Sequence, residues 1–286
     1  MAVYPRWLRK AIDAMPHCIY LPESIHSLTG QANVVISYEF PLNERVRTML
    51  RLEDLFFRIS RFVESDESPD HHAALSVLFE ILEVACRADL KSELLQELER
   101  QKKALNALHN NPDILEDALD TILHEIEEVS AGLLKMSGKI GQHLRDDEWL
   151  MGIKQRACIP GGVCEFDLPS YHYWQHQTAE HRRQNLDTWL APMLPLRDGI
   201  AILLKLLRES GKVHHFTAFH GSFQQMQGGR VAQMLRISLN TEMPCIPEVS
   251  ANKYALNIRF VEAKYTAKTA LYDQDVAFDL TFCSLQ

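Results

Sequence analysis

Ile159-Pro-Gly-Gly-Val-Cys-Glu-Phe-Asp-Leu-Pro169 interrupts the helical middle of the chain. Pro160 has no N–H to give a helix, and Gly161 and Gly162 admit positive φ, so no regular helix passes through it. Apolar helical patterns flank it on both sides. Each brings amphipathic aromatics: Trp149 before the turn, and Tyr171, Tyr173 and Trp174 after it. A tight apolar turn between helices is expected to be buried, which makes this segment a hub on which its neighbours dock. It carries no arrangement of nucleophile, base and oxyanion donors, so it points to binding rather than chemistry.

Before the hub the pattern is helical. Asn43 is an N-cap candidate for a helix over Glu44 to Glu64, on which Leu52, Leu55, Phe56, Ile59, Phe62 and Val63 share one face. The polar break Ser65 to Asp70 leads to a second helix over His71 to Arg87. A third starts near Asp89 and runs to Asn110-Asn111. Pro112 opens a fourth, with Glu116, Asp117, Asp120, Glu125, Glu127 and Glu128 on an acidic, solvated outer face. Long consecutive helices of this kind predict an antiparallel bundle. After the hub, a helix reaches Leu190, Pro192 and Pro195 break it, and an apolar helix covers Leu196 to Glu209.

The period then changes from 3.6 to 2. Runs starting at His215, Ala232, Tyr254 and Ala277 alternate as half-buried strands, with Gly228-Gly229 as a hairpin signal between the first two. Asn33-Val-Val-Ile-Ser-Tyr-Glu-Phe40 is a further β-branched and aromatic strand, isolated before the helices. It is expected to pair with the C-terminal sheet, because an isolated strand leaves its backbone groups unsatisfied. The fold class is therefore α+β: a helical, bundle-like domain joined to an antiparallel β-sheet domain. The expected organisation is an N-terminal extension over 1–32, a strand of the β-domain over 33–40, a helical domain over 41–212 and the β-domain over 213–286.

The chain of 286 residues has ample length for a sizeable core. A net charge of −8 argues against non-specific nucleic-acid binding, which needs a basic footprint. Six scattered cysteines fall far below the density of a disulfide scaffold. Pro5, Arg6, Arg9, Lys10 and Asp13 deny the N-terminus the apolar core of a signal peptide. No stretch approaches the roughly 20 apolar residues of a membrane span, so no membrane insertion is expected and a reducing cytoplasm is the default compartment.

Two constellations compete for a function. On the first helix Arg47, Arg51, Arg58 and Arg61 fall within an arc of roughly 80°. They are either a solvated face bridged to Glu44, Glu53 and Asp54, or a pocket for an acidic partner, whose carboxylates the planar guanidinium forks would grip. The second set, Cys158, Cys164, His172 and His176, has the ligand chemistry of tetrahedral zinc. Its first pair is spaced too widely for a knuckle, and both cysteines are expected in apolar surroundings, where the thiol acts as a small hydrophobe. Hydrolase and nucleotide-loop motifs are missing from the sequence, and Gly138-x-x-Gly141 is too short for a phosphate loop. His214-His215 opens a strand with no obvious partner. No cofactor and no enzymatic activity are expected.

Four blocks resemble the cell division protein ZapD family: Phe40 to Glu53, Glu93 to Gln101, Ile140 to Asp147, and Ile159 to Pro169. Their order and spacing also fit, and the resemblance runs from about Val34 to the C-terminus. It implies a cytoplasmic homodimer at the mid-cell division site that binds the C-terminal tail of the tubulin-like GTPase FtsZ in a basic pocket and cross-links its filaments into bundles. On this resemblance Arg51 and His172 take pocket positions, and Arg145 lies in the Leu-Arg-Asp-Asp block beside the pocket. Glu148 stands where the family pattern has Arg, which weakens the positive field, and Arg47, one turn before Arg51, compensates. The alternatives are a scaffold for another septal protein, or a zinc-binding protein built on Cys158, Cys164, His172 and His176.

Overall fold

The computed structural model of the chain describes residues 23–25, 33–86, 89–109, 116–226, 232–252, 254–264 and 270–285. The readings made at Pro5 to Asp13, Asn110 to Pro112 and Gly228-Gly229 lie outside these residues. Of the expected extension over 1–32, one short strand is described, β1 (Glu23–Ile25). β2 (Asn33–Pro41) follows. Asn43 then starts α1 (Glu44–Glu64): its Oδ1 accepts the Val46 N–H at 2.8 Å, the N-cap bond its sequence position predicts. Leu52, Leu55, Phe56, Ile59 and Val63 are buried along one face of α1, as the 3.6 period requires.

α2 (Ser68–Ala85) begins three residues before the expected His71, because Pro69 sits in the first turn, where a missing N–H costs nothing. It buries Ala74, Leu75, Leu78, Ile81 and Leu82. α3 (Leu90–Asn106) and α4 (Glu116–Lys135) pack on each other. α3 buries Leu94 and Leu98, and α4 buries Leu119, Leu123, Ile126 and Leu133. The acidic residues of α4 are exposed, as expected of a solvated face. α5 (Gln142–Arg145) and α6 (Glu148–Ala157) come next, the latter capped by Asp147, which accepts the Leu150 N–H at 2.9 Å. α7 (Pro169–Gln175) and α8 (Ala179–Leu190) lead through a 3-10 turn, Ala191–Met193, into α9 (Leu194–Glu209). The expected break at Pro192 and Pro195 is thus a change of helix type, with each proline in a first turn that tolerates it.

The apolar turn is not a buried hub. Ile159 is 49% and Phe166 79% exposed, and Cys158 and Cys164 are exposed too. The turn satisfies its own backbone: Gly162 N–H donates to the Ile159 carbonyl, and Asp167 and Leu168 N–H both donate to the Cys164 carbonyl. A segment that closes its own hydrogen bonds needs no burial for them. Gly162 is required for close approach, since a Cβ there would lie 2.4 Å from the Arg156 carbonyl oxygen. The docking role falls to the flanking aromatics. Tyr171 stacks on Trp174 at 5.7 Å, Trp149 stacks on Trp189 at 5.7 Å, and Trp149 meets the edge of Trp174 at 6.0 Å.

The C-terminal strands are β3 (Val213–Ala218), β4 (Ser222–Met226), β5 (Met234–Asn240), β6 (Cys245–Ala251), β7 (Ala255–Glu262) and β8 (Val276–Cys283). They form two antiparallel sheets, ordered β1-β2-β5-β8-β3 and β4-β7-β6. β2 pairs with β5 from Val35↔Asn240 to Pro41↔Met234, so the isolated strand does join the C-terminal sheet. The run from His215 that reads as one strand is two. It turns at His220 (φ 45), and its halves enter different sheets. β6 escaped the alternation pattern because it contains Pro247, which an edge strand tolerates. Leu235, Ile237, Leu256, Ile258, Phe260, Phe278 and Leu280 form one core shared by both sheets.

Contacts divide the fold into two units: residues up to 47 together with 205–285, which hold the sheets, and residues 48–204, which hold the helices.

Candidate functional site

The arginine strip of α1 resolves residue by residue. Arg47 pairs with Glu44 at 3.3 Å and Arg61 with Glu64 at 3.6 Å. Arg58 pairs with Asp54 at 2.7 Å and reaches Glu80 of α2 at 4.0 Å. Two of the bridges therefore use the carboxylates expected of a solvated face, Glu44 and Asp54. Arg51 is the exception. It is exposed, and among the described residues no carboxylate lies within 4.0 Å of it. Its like-charged neighbours lie one turn before it and two turns after it on the same strip.

Arg145 closes α5. Its Nη1 donates to the Ile140 carbonyl at 2.8 Å, which fixes the guanidinium over the start of its own short helix. Gly141 has φ +72, and a Cβ there would lie 2.2 Å from Leu82 Cδ1 and 3.8 Å from Arg145 Nη1. The second glycine of Gly138-x-x-Gly141 is therefore a packing glycine: it lets α5 close onto the C-terminal part of α2. Next to Leu82, Glu83 accepts a hydrogen bond from Lys154 of α6. That bond and the Lys154 charge hold the Glu83 carboxyl below the ordinary range against a small burial penalty, and the Arg145 charge adds to the effect.

His172 lies on α7. Its Nε2 is 3.6 Å from a Glu165 carboxylate oxygen, and its ring centroid is 4.3 Å from that of His176. The preceding residue, Tyr171, is buried, and its hydroxyl shares a 2.6 Å hydrogen bond with His72 Nδ1; burial pushes that phenol well above its usual range. Tyr171 thus anchors near the start of α2, whereas Lys154 binds Glu83 near its end. The two positions are separated by eleven residues of helix, roughly 16 Å along its axis. Lys154 is bonded to Glu83, the Arg145 charge acts on the same carboxylate, and Arg58 reaches Glu80 one turn away on α2. No described contact joins His172 to Arg51 or Arg145.

The zinc set is not drawn together. Cys158 Sγ donates back to the Lys154 carbonyl at 3.4 Å, and His176 Nδ1 contacts the His172 carbonyl at 2.8 Å. Among the described residues no group of three His, Cys, Asp or Glu side chains has metal-holding geometry. His215, which lacked a partner in the sequence, has one across the strands: its Nδ1 lies 2.5 Å from Asp279 Oδ1, its register neighbour on β8. Only strand pairing reveals that contact. Sequence reading also missed Arg182, which is buried and donates to His71 Nδ1 at 2.9 Å and to the Asp66 carbonyl at 2.7 Å.

Among the described residues no helix is long and apolar enough to cross a membrane. The family model described as ZapD, cell division protein, matches residues 50–259. The chain is 59% identical over 252 residues to "Cell division protein ZapD" of Dechloromonas aromatica, an overlap of 88% of this chain and 100% of the relative. Identity to the proteins of the same name is 55% over 251 residues in Azoarcus sp., covering 88% of this chain and 100% of that one, and 56% over 250 residues in Chromobacterium violaceum, covering 87% and 99%. The chain belongs to the ZapD family of cell division proteins.

Proposed function

We propose that this protein serves cell division as a non-enzymatic cross-linker: it binds the C-terminal tail of FtsZ through basic side chains and, as a homodimer, joins FtsZ filaments into bundles in the cytoplasm at mid-cell. The observation that carries this reading is Arg51, an exposed guanidinium on a rigid helix with no carboxylate partner among the described residues. Holding a cation beside like charges is unfavourable by a few tenths of a kcal/mol per pair, a cost that a bound carboxylate would offset. Arg145 and His172 are assigned to the same tail by family resemblance, and Arg47 supplements Arg51 from the preceding turn of α1.

A disordered tail gives up chain entropy on binding, so a single contact is weak. A twofold dimer carries two such sites, and filaments display many tails, so bundling gains avidity without new contacts. Binding led by exposed charges weakens as salt is added. The test is co-sedimentation of the purified protein with its cognate FtsZ and GTP at low and high salt. Low-speed pelleting of FtsZ at low salt, lost at high salt or with FtsZ lacking its tail, supports the reading. No pelleting by a well-folded dimer under any condition refutes it.

A further inference from the structure

The tail surface described above has a carboxylate of its own. Glu83 projects from the last turn of α2, with its side chain 65% exposed, and it accepts a hydrogen bond from Lys154, whose side chain is only 27% exposed. The Lys154 side chain is therefore largely covered, and its ammonium is held by the Glu83 carboxylate. Arg145 is seated over the same end of α2 by the Gly141–Leu82 contact and by its bond to the Ile140 carbonyl.

We propose that Lys154 is a ligand-binding residue of the tail site and that Glu83 is its resident counter-ion, which a carboxylate of the incoming tail displaces. This rests on the tail-binding reading and adds a residue and a control element to it. The chemistry is an exchange of one carboxylate for another on the same ammonium, with Arg145 alongside as a second cation. An exposed ion pair contributes little, so Glu83 gives way readily to a ligand carboxylate that is delivered together with other contacts. Until then it neutralises Lys154 and keeps stray anions off the site. Such a device trades affinity for selectivity: an isolated carboxylate cannot outcompete a tethered one, whereas a tail held at several points can.

The experiment uses the full chain and a fluorescently labelled synthetic peptide of the cognate FtsZ C-terminal tail, with anisotropy as the readout. Glu83→Gln keeps the shape and removes the charge. It is expected to tighten peptide binding about two- to fivefold at low salt, the range of one surface ion pair. The gain should vanish at roughly 0.5 M salt, where charges are screened within a few ångströms. Lys154→Met should weaken binding by a similar factor, and in that background Glu83→Gln should bring no gain, because the two act on one contact. Circular dichroism confirms that each variant is folded. Unchanged or weaker binding by Glu83→Gln overturns the counter-ion. A full gain that persists in Lys154→Met overturns the role of Lys154. If the wild-type chain does not bind the peptide at all, the tail-binding reading falls first and takes this proposal with it.

Discussion

Arg182 donates its Nε–H to Nδ1 of His71 at 2.9 Å, and both side chains are buried. A guanidinium has no acceptor, so His71 must be neutral with Nδ1 free of hydrogen. Burial first, and then the Arg182 and Arg183 charges, hold its pKa below 6.5, while the carbonyls of Ser65 and Val63 pull the other way. His72, hydrogen-bonded to Tyr171, is shifted down by burial alone. A histidine whose folded pKa is depressed binds more protons in the unfolded chain. Its contribution to stability is intact above about 6.5 and is lost as pH falls toward the depressed folded value. The thermal midpoint should therefore drop between pH 7.5 and pH 5.5. Asp187 and Asp198, raised by burial, act in the opposite sense. A midpoint that stays flat or rises as pH is lowered across it would refute the assignment.

In the sheet-bearing unit, Arg208 near the end of α9 grips Glu39 of β2 with two bonds, Nε to Oε1 at 2.7 Å and Nη2 to Oε2 at 2.8 Å. The side chains are 7% and 14% exposed. Removing one partner strands a buried charge, which costs about 3–5 kcal/mol. Arg208→Met should fall at the low end, because Arg236 stands opposite Glu39 in the β2–β5 register. Combining it with Glu39→Leu should restore most of the loss, since two apolar groups replace the pair. Urea unfolding of the three proteins checks both statements, and a double variant no better than Arg208→Met contradicts the second.

Gly141→Ala should destabilise the helical unit by about 1–3 kcal/mol through overpacking, with backbone strain at φ +72 adding to it. The added methyl meets Leu82 Cδ1 at 2.2 Å, so Leu82→Ala should relieve part of the cost while introducing its own cavity. Denaturant midpoints measure the coupling between the two sites. Strictly additive effects would mean that backbone strain, not the Leu82 contact, sets the requirement for glycine.

The fold was legible wherever one period ran uninterrupted. α1 matched its predicted limits, from the Asn43 cap to Glu64, because its apolar residues keep the 3.6 spacing throughout. The lone strand after Ala32 paired as expected, because backbone groups must be satisfied somewhere. The failures have local causes. The run from His215 looked continuous because alternation is blind to a reversal at His220, and Pro247 hid an edge strand. The turn at Ile159 to Pro169 was expected inside because it is apolar. Its self-contained hydrogen bonds left it outside, with the aromatics around it carrying the packing. For the proposed tail site the helical wheel offered Arg47 and Arg51 and the family resemblance added Arg145 and His172, but neither pointed to Glu83 or Lys154. An ion pair separated by 71 residues has no sequence signature.

Arg51→Glu tests the tail-binding reading most directly. Arg51 is exposed and no described carboxylate lies within 4.0 Å of it, so its replacement leaves no ion pair broken and no cavity behind. The helix keeps its buried face, and circular dichroism and the oligomeric state should match the wild type. A charge-assisted hydrogen bond contributes about 1.5–3 kcal/mol, so losing it should weaken tail binding by roughly tenfold to 150-fold, with repulsion adding to the loss. Because bundling multiplies two weak contacts, FtsZ pelleting should disappear altogether. Arg61→Glu provides the control: it reverses a charge on the same helix, at a residue already paired with Glu64 and 66% exposed. If pelleting survives Arg51→Glu, or is lost equally in Arg61→Glu, then net charge and not a site at Arg51 governs the interaction.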